Sequence, residues 1–405
     1  MRIVGNDVWR KSPWVRIPLS PLLSIIYQIP NTKYQTMKDI IEIDFNNPDI
    51  YKEKVWGNTS EVVDFVNKKA NEFGGKIIGE IFLVSTHSDG LSRFTNGNLL
   101  KDEIYNEESV FGKTVGPKGE FPLLLKVLSA QEFLSVQTHY KNKTEAWYTL
   151  SDGEMLYGLT DVGEKILQTS KGRKELTDVM KTAKTVSEVA KYFNHVKFKA
   201  GETYLIHAGM VHSLLRGTIL EPQKNSNLTI RGGDWGRNDP NRPLQVKDFF
   251  ASIYPYAIQP KPIEPKYKTY RTDRETPKNS KHTCLVATSD FALDKIVIND
   301  GTRMLETFTD RFFIVIVMKG NIELTNGVVH KKVNKGQIFV LGATSNEWTF
   351  SGTGEAMLVY VPHIKKGIIT PLKNSGYSYK EITAIGGPTL KENDVYIQIK
   401  EMGLL

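Results

Sequence analysis

The sequence predicts a mainly β protein built from two strand-rich blocks with a small helical insertion. Three features predict it. Between Thr283 and His363, six strand-like segments fall within about eighty residues, separated by the turn signals KGN, TNG, NKG, LGA and SGTG; this spacing suits an antiparallel sandwich or barrel. From Val55 onward, strand-like runs such as Ile77–Val84 lie between WGN, FGG, NGN and GPKGEF turns. Residues 240–281, containing IQPKPIEPKYK, are rich in proline and lysine and read as a connector between the blocks.

The elements follow in order. Residues 1–50 carry Pro13, Pro18, Pro21 and Pro30 and are expected to be an irregular extension packed on a larger body, the first strand-rich block. Glu61–Glu72 has apolar residues at 62, 63, 66 and 70, a helical spacing. Leu123–Leu128 (LLLKVL) reads as a buried strand running into FLSVQTHYKNKTE at 133–145. As a strand, Leu134–His139 puts Ser135, Gln137 and His139 on one face and Leu134, Val136 and Thr138 on the other. Trp147–Leu150 and Met155–Leu159 flank an Asp152-Gly153 hairpin signal. Glu164–Gln168, Lys174–Ala183 and Thr185–Phe193 have helical spacing, which defines the insertion at 160–195.

Strand texture returns at Val196 and continues through HAGMVH (207–212), Ile219–Glu221 and Leu228–Ile230. The second block has strands near Phe312–Met318, Asn321–Leu324, His330–Lys332, Gln337–Leu341, Trp348–Phe350 and Ala356–Val361. The resulting division is an extension at 1–50, a first domain at 51–240, a connector at 241–281, a second domain at 282–363 and a C-terminal extension at 364–405.

Bulk composition narrows the function. A chain of 405 residues is long enough for two or more cores, and 40% hydrophobic with 24% charged residues is ordinary for soluble proteins. The single cysteine, Cys284, excludes an intramolecular disulfide and cysteine-rich zinc sites, and fits a reducing, cytoplasmic setting. Any metal must therefore be held by histidine, carboxylate or amide ligands. A net charge of +8 tolerates acidic partners, but the 53 basic residues are interspersed with 45 acidic ones. With no dense basic run, zinc-finger spacing or aromatic RNA-binding segment, a phosphorylated small molecule is expected rather than nucleic acid. Leu19–Ile29 is broken by Ser20, Pro21, Ser24 and Gln28 and falls short of the ~20 residues that span a bilayer, so no membrane partner is expected. The chain lacks a GxGxxG with a ribose-binding acid, a P-loop and a GxSxG, which argues against nucleotide cofactors and serine hydrolysis.

Two histidine-bearing segments remain, 133–145 and 207–212, and together they suit one mononuclear metal site. The residues alone favour His139, Glu145 and His212, since glutamine is an unusual ligand. An isolated Gln-x-His pair more often lines a solvated sheet edge, so the ordered series of motifs carries the weight.

That series resembles the type I phosphomannose isomerases, zinc enzymes of the cupin superfamily. The motifs are FPLLLKVLSAQEFLSVQTHY with KTEAWYTL, then ETYLIHAGMVHSL, then LEPQKNSNLTIRGGDWGR; VWGN and GEIFLVSTHSDGLS are weaker upstream landmarks. The resemblance covers roughly residues 55–363. It implies two cupin (jelly-roll) domains, the first holding one Zn2+ and the second without metal. The implied ligands are Gln137, His139, Glu145 and His212. Lys143, Glu221 and Arg231 are the implied catalytic residues, with Ser135, Lys143 and Arg231 binding substrate. Departures are Tyr140 in place of a proline, a short step from His139 to Lys143, His207 in place of a proline, and Asn227 in place of an acidic residue.

The implied reaction interconverts mannose 6-phosphate and fructose 6-phosphate by moving a proton between carbons 1 and 2 through an enediol. Glu221 and Lys143 are both candidates for the proton transfer, and Arg231 suits phosphate or enediolate charge through its planar fork. The expected partner is a small phosphosugar, bound by a monomer or homodimer. Alternatives are a related sugar-phosphate isomerase or epimerase, and a non-catalytic sugar-binding cupin.

Overall fold

A computed structural model describes residues 39–106, 108–115, 120–140, 143–237, 239–253, 268–270, 280–306, 310–388 and 390–405. Residues 1–38 of the expected N-terminal extension, and 254–267 and 271–279 of the expected connector, lie outside the described residues.

Strands of the first block, preceded by β1 (Ile40–Glu42), are β2 (Tyr51–Glu53), β3 (Ile78–Val84), β4 (Leu123–Ala130), β5 (Val136–Thr138), β6 (Glu145–Thr149), β7 (Gly153–Leu159), β8 (Phe193–Phe198), β9 (Thr203–Ile206), β10 (His212–Lys224) and β11 (Ile230–Gly233). The second block holds β12 (Lys268–Tyr270), β13 (Ser280–Ala287), β14 (Ala292–Glu306), β15 (Phe313–Thr325), β16 (His330–Asn334), β17 (Ile338–Leu341) and β18 (Glu347–Tyr360). β2 to β11 make a 10-stranded sheet along β11-β5-β10-β4-β3-β2, with β6 and β7 also paired to β10. β1 joins the second block in an 8-stranded sheet, order β1-β17-β15-β18-β14-β13-β12, with β16 on β15.

The long strand β10 is what folds the first sheet over on itself. Its first half pairs with β5 and β7, and its second half with β4 and β6. The change of partners comes at a bulge between Leu214 and Arg216, followed by Gly217 at φ +115°. A bulge bends and twists a strand, and glycine accepts that positive φ without a Cβ penalty.

The helical insertion is present as Asp161–Leu167, Ser170–Thr182 and Val186–Val189. Thr160 and Thr169 cap the first two helices, accepting from the Gly163 and Gly172 amides. Leu176, Met180 and Val189 pack against Val136, Leu156, Ile230 and Phe249, so the insertion stiffens the back of β5 and β11. The helices Thr370–Asn374, Tyr379–Thr383 and Asp394–Glu401 bury Leu372, Ile382, Val395 and Ile399 in the second block's core. One apolar cluster crosses between the blocks, joining Ile81, Leu125 and Leu205 to Leu293, Ile314 and Met357. Each such buried side chain contributes about 1.5–3 kcal/mol, which favours the blocks staying docked.

Three elements differ from expectation. The helix read over Glu61–Glu72 is Thr59–Asp64 followed by a separate 3-10 turn at Ala70–Phe73, because Asn67 takes φ +58° between them. The strand read over Leu134–His139 is only Val136–Thr138. In the second block, the KGN and SGTG signals are not hairpins. They are Gly320 and Gly352, at φ +71° and +104°, inside the continuous strands β15 and β18.

Candidate metal centre and cleft

β5 carries Gln137 between two partners, and His139 follows immediately after its last residue. His212, the first residue of β10, lies opposite Gln137, and Arg231 of β11 lies opposite Gln137 on the other edge. Glu145 opens β6 and is registered with Ile206 of β9 and Gln223 of β10. Short strands with several neighbours thus bring residues about seventy positions apart into one cluster.

His139, Glu145 and His212 form a buried group whose ligand atoms lie within 4.8 Å of one another. Among the described residues, no other group of three His, Cys, Asp or Glu side chains does so. The imidazole orientations are fixed from behind. His139 Nδ1 donates to the Leu228 carbonyl at 3.0 Å, and His212 Nδ1 donates to the Met210 carbonyl at 2.9 Å. In neutral rings both Nε2 atoms then present lone pairs, His139 at 3.0 Å from Glu145 Oε2 and His212 at 3.3 Å from Glu145 Oε1.

Three electron-pair donors converging in a buried space need a cation. Glu145 Oε1 is buried without a hydrogen-bond partner, a costly state unless a positive charge meets it. Lys143 Nζ supplies part of that charge, 3.1 Å from Glu145 Oε2 and 3.3 Å from His139 Nε2. Gln137 Nε2 lies 3.1 Å from His212 Nε2, and rotating the same amide by 180° presents its oxygen instead. Histidine, carboxylate and amide donors of this kind fit zinc.

Electrostatics keep the donors in ligating form. Burial, and next the Lys143 charge, press the His139 imidazole down to about 3; burial also lowers His212. Burial pushes Glu145 upward, but its neighbours, the Lys143 charge first, outweigh it and hold the carboxyl well below its ordinary range. The site therefore carries neutral imidazoles and an ionised carboxylate.

Glu145 lines a cleft of about 870 Å³ together with Ser135, Gln137, Lys143 and Glu221, while His139 and His212 are buried behind this wall. Ser135 Oγ donates to Gln137 Oε1 at 3.4 Å. Glu221 Oε2 accepts from Trp147 Nε1 at 2.8 Å; burial first, then the Glu145 charge, push its carboxyl up to about 8. Arg231 is not among the residues lining the cleft. Its Nη2 reaches Asp234 Oδ2 at 2.8 Å and its Nη1 donates to the Arg242 carbonyl at 2.6 Å, so it anchors two residues that do line it.

Several cleft residues escaped the sequence reading. Lys126 of β4 lies opposite Glu221, pairs with Glu80 at 2.8 Å and donates to Asn227 at 2.7 Å. Lys54, Arg237 and Arg242 add positive charge at the walls. The available signal for Lys126 was one charge inside LLLKVL, since a lysine in a buried strand is rarely tolerated without a partner. Tyr140, at one of the departures, is 41% exposed, and residues 141–142 beside it lie outside the described residues.

The chain is similar to known proteins over most of its length. Residues 47–163 match the family model "Phosphomannose isomerase type I, catalytic domain", and residues 281–361 match "Mannose-6-phosphate isomerase, cupin domain". Residues beyond 361 lie outside both matches. The chain is 28% identical over 323 residues to mannose-6-phosphate isomerase of Streptococcus mutans serotype c, covering 74% of this chain and 92% of that one. The mannose 6-phosphate isomerase structure from Bacillus subtilis superposes with a TM-score of 0.64 at 24% identity, over 79% of this chain and 99% of the other. A holo, zinc-bound mannose 6-phosphate isomerase structure gives 0.62 at 16% identity, over 80% and 99%. Both strand-rich blocks thus have the cupin fold. Among the described residues no helix is long and apolar enough to cross a membrane.

Proposed function

We propose that this chain, which belongs to the type I phosphomannose isomerases by both of its matched domains, interconverts mannose 6-phosphate and fructose 6-phosphate at the His139–Glu145–His212 cleft. The observation that carries this reading is the convergence of three proton-free donors on one buried point, with Glu145 Oε1 unpaired, beside a cleft lined by Glu145, Glu221 and Lys143.

Gln137, His139, Glu145 and His212 would hold one zinc ion. When bound, zinc supplies Lewis-acid polarisation of the sugar's C1 and C2 oxygens and a template for their orientation. Glu221 takes or returns the proton that moves between the two carbons; a carboxyl raised to about 8 holds and releases protons near neutral pH. Trp147 fixes its orientation through the indole N–H. Lys143 offsets developing negative charge from beside Glu145. Ser135 faces the phosphate end. Arg231 orders the Asp234–Arg242 wall, and its buried Nε is without a partner in the protein.

The domain division that goes with this reading is a catalytic domain at 51–240 and a metal-free second domain at 282–363; against the expected packing of the N-terminal extension on the catalytic domain, its strand β1 pairs with β17 of the second domain, and the segment from 364 onward belongs to that domain's core. Cytoplasmic residence is part of the same proposal and is supported by the one cysteine, Cys284, which is free and buried.

The test is metal analysis of the purified chain with a coupled isomerase assay. One zinc per chain with turnover of mannose 6-phosphate is the expected result. Zinc without that turnover favours a related isomerase or epimerase, a reading supported by the short step from His139 to Lys143. Absence of zinc, with His139→Ala leaving sugar binding intact, defeats both.

A further inference from the structure

We propose that Gly387 is a positioning residue for the metal centre: through it, the segment beyond residue 361 braces the turn that holds the ligands. The inference rests on the reading of His139, Glu145 and His212 as ligands.

The turn from His207 to Val211 joins β9 to β10. It touches both histidines of the cluster, and the strand leading into it pairs with Glu145. Gly209 N donates to the His139 carbonyl at 3.0 Å, and the Met210 carbonyl accepts from His212 Nδ1 at 2.9 Å. Immediately upstream, Ile206 is registered with Glu145. Met210 N donates to the His207 carbonyl at 3.1 Å and closes the turn. A displacement of this turn therefore shifts His139 and His212 against Glu145.

The outer wall of the turn is the His207 side chain, 4% exposed, with Nε2 buried and unpartnered. Gly387 packs directly on that ring. A Cβ at 387 would stand 2.8 Å from His207 Nε2 and 2.8 Å from Leu205 Cδ2, closer than a methyl can approach. The residue also takes φ +92°, which glycine accepts freely.

Gly387 is itself held rigidly. Asn393, fully buried, donates through Nδ2 to the Thr383 and Gly387 carbonyls at 2.8 Å each, while its Oδ1 accepts from Tyr396 N at 2.8 Å. Ile382, Ile385, Val395 and Ile399 bury the segment in the core of the second block. The tail of one domain thus presses on the ligand-bearing turn of the other.

The experiment measures zinc affinity of the folded chain by competition with a chromophoric chelator, for wild type, Gly387→Ala, His207→Ala and the double variant. Support for metal ligands typically counts for about 10-fold or more in affinity. Gly387→Ala is expected to lose that much in the wild-type background and clearly less in His207→Ala, where one of the two side chains that the methyl meets, His207 rather than Leu205, is gone; His207→Ala alone is expected to lose affinity because the brace has nothing to press on. Equal effects of Gly387→Ala in both backgrounds would assign the loss to backbone strain or to Leu205 and overturn the brace, as would unchanged affinity. If Gly387→Ala does not fold, His207→Ala decides alone: wild-type affinity overturns the proposal and weakened affinity supports it. A wild-type chain that binds no zinc overturns the ligand reading and the brace with it. Zinc-binding wild type with unaffected variants overturns the brace only.

Discussion

His212 faces Gln137 across the β5–β10 pairing, and Gln137 Nε2 lies 3.1 Å from His212 Nε2. The amide thus meets the lone pair that a metal would take. Rotated, it presents an oxygen to the same point. Gln137→Leu keeps the side-chain volume and removes both options. Zinc affinity is expected to fall about 10- to 100-fold, with the midpoint of denaturant unfolding of the metal-free chain little changed. Chelator competition and urea unfolding on one preparation separate the two effects.

Glu145 is the charge that makes the cluster tolerable to Lys143, 3.1 Å away and buried. Glu145→Ala leaves an ammonium in the interior with no carboxylate beside it. Removing one partner of a buried ion pair typically costs about 3–5 kcal/mol. The variant should therefore lose zinc and unfold at markedly lower denaturant. The double variant Glu145→Ala, Lys143→Met should recover stability without recovering metal.

Glu221→Gln keeps the hydrogen-bond reach toward Trp147 and removes the titrating proton. Zinc content is expected to stay at the wild-type level, since Glu221 is outside the ligand cluster. Turnover is expected to fall by about 100- to 10,000-fold, the usual worth of a positioned acid or base. A variant with full turnover would transfer that role to Lys143.

Much of this site was legible because its donors come in rigid local patterns. Gln137 in β5 and His139 just past its end are two apart, Lys143 and Glu145 repeat that spacing, and the family resemblance supplied the order in which His212, Glu221 and Arg231 follow. Strand limits were less legible. β5 is confined to three residues because Leu134 turns aside: its amide donates to the Leu214 carbonyl, and its own carbonyl accepts from Ser213 Oγ. Gly320 and Gly352 read as turn signals because a kink inside a strand and a turn can both use a positive φ; only the partner strand distinguishes them. Lys126 was absorbed into an apolar run, and its partner Glu80 lies on β3, far off in sequence. Arg237 and Arg242 fall in irregular chain, where periodicity carries no signal.

The Glu80–Lys126 pair predicts an acid limit to stability. Burial pushes Glu80 up, but Lys126 and Lys54 prevail and bring its carboxyl to about 2 from an ordinary 4.5. Its stabilising contribution is therefore complete above pH 4.5 and disappears as pH falls through about 2. Over that window the unfolded chain binds a proton that the folded chain does not. A shift of this size corresponds to about 3 kcal/mol. Urea unfolding at pH 7, 4.5 and 3 should show the loss, and Glu80→Gln should lower stability at pH 7 and flatten the profile in the acid window.

Arg231 is the last residue whose role can be separated by substitution. Its guanidinium holds Asp234 Oδ2 at 2.8 Å and the Arg242 carbonyl at 2.6 Å, two directions that one planar fork serves and a single ammonium does not. Arg231→Lys should keep the charge, keep zinc, and release the Asp234–Arg242 wall of the cleft. The expected result is a KM for mannose 6-phosphate raised about tenfold, equivalent to about 1.4 kcal/mol of binding, with kcat changed less. A fall in kcat at unchanged KM would instead put the guanidinium at the reacting carbons, since only an interaction made in the transition state lowers turnover alone.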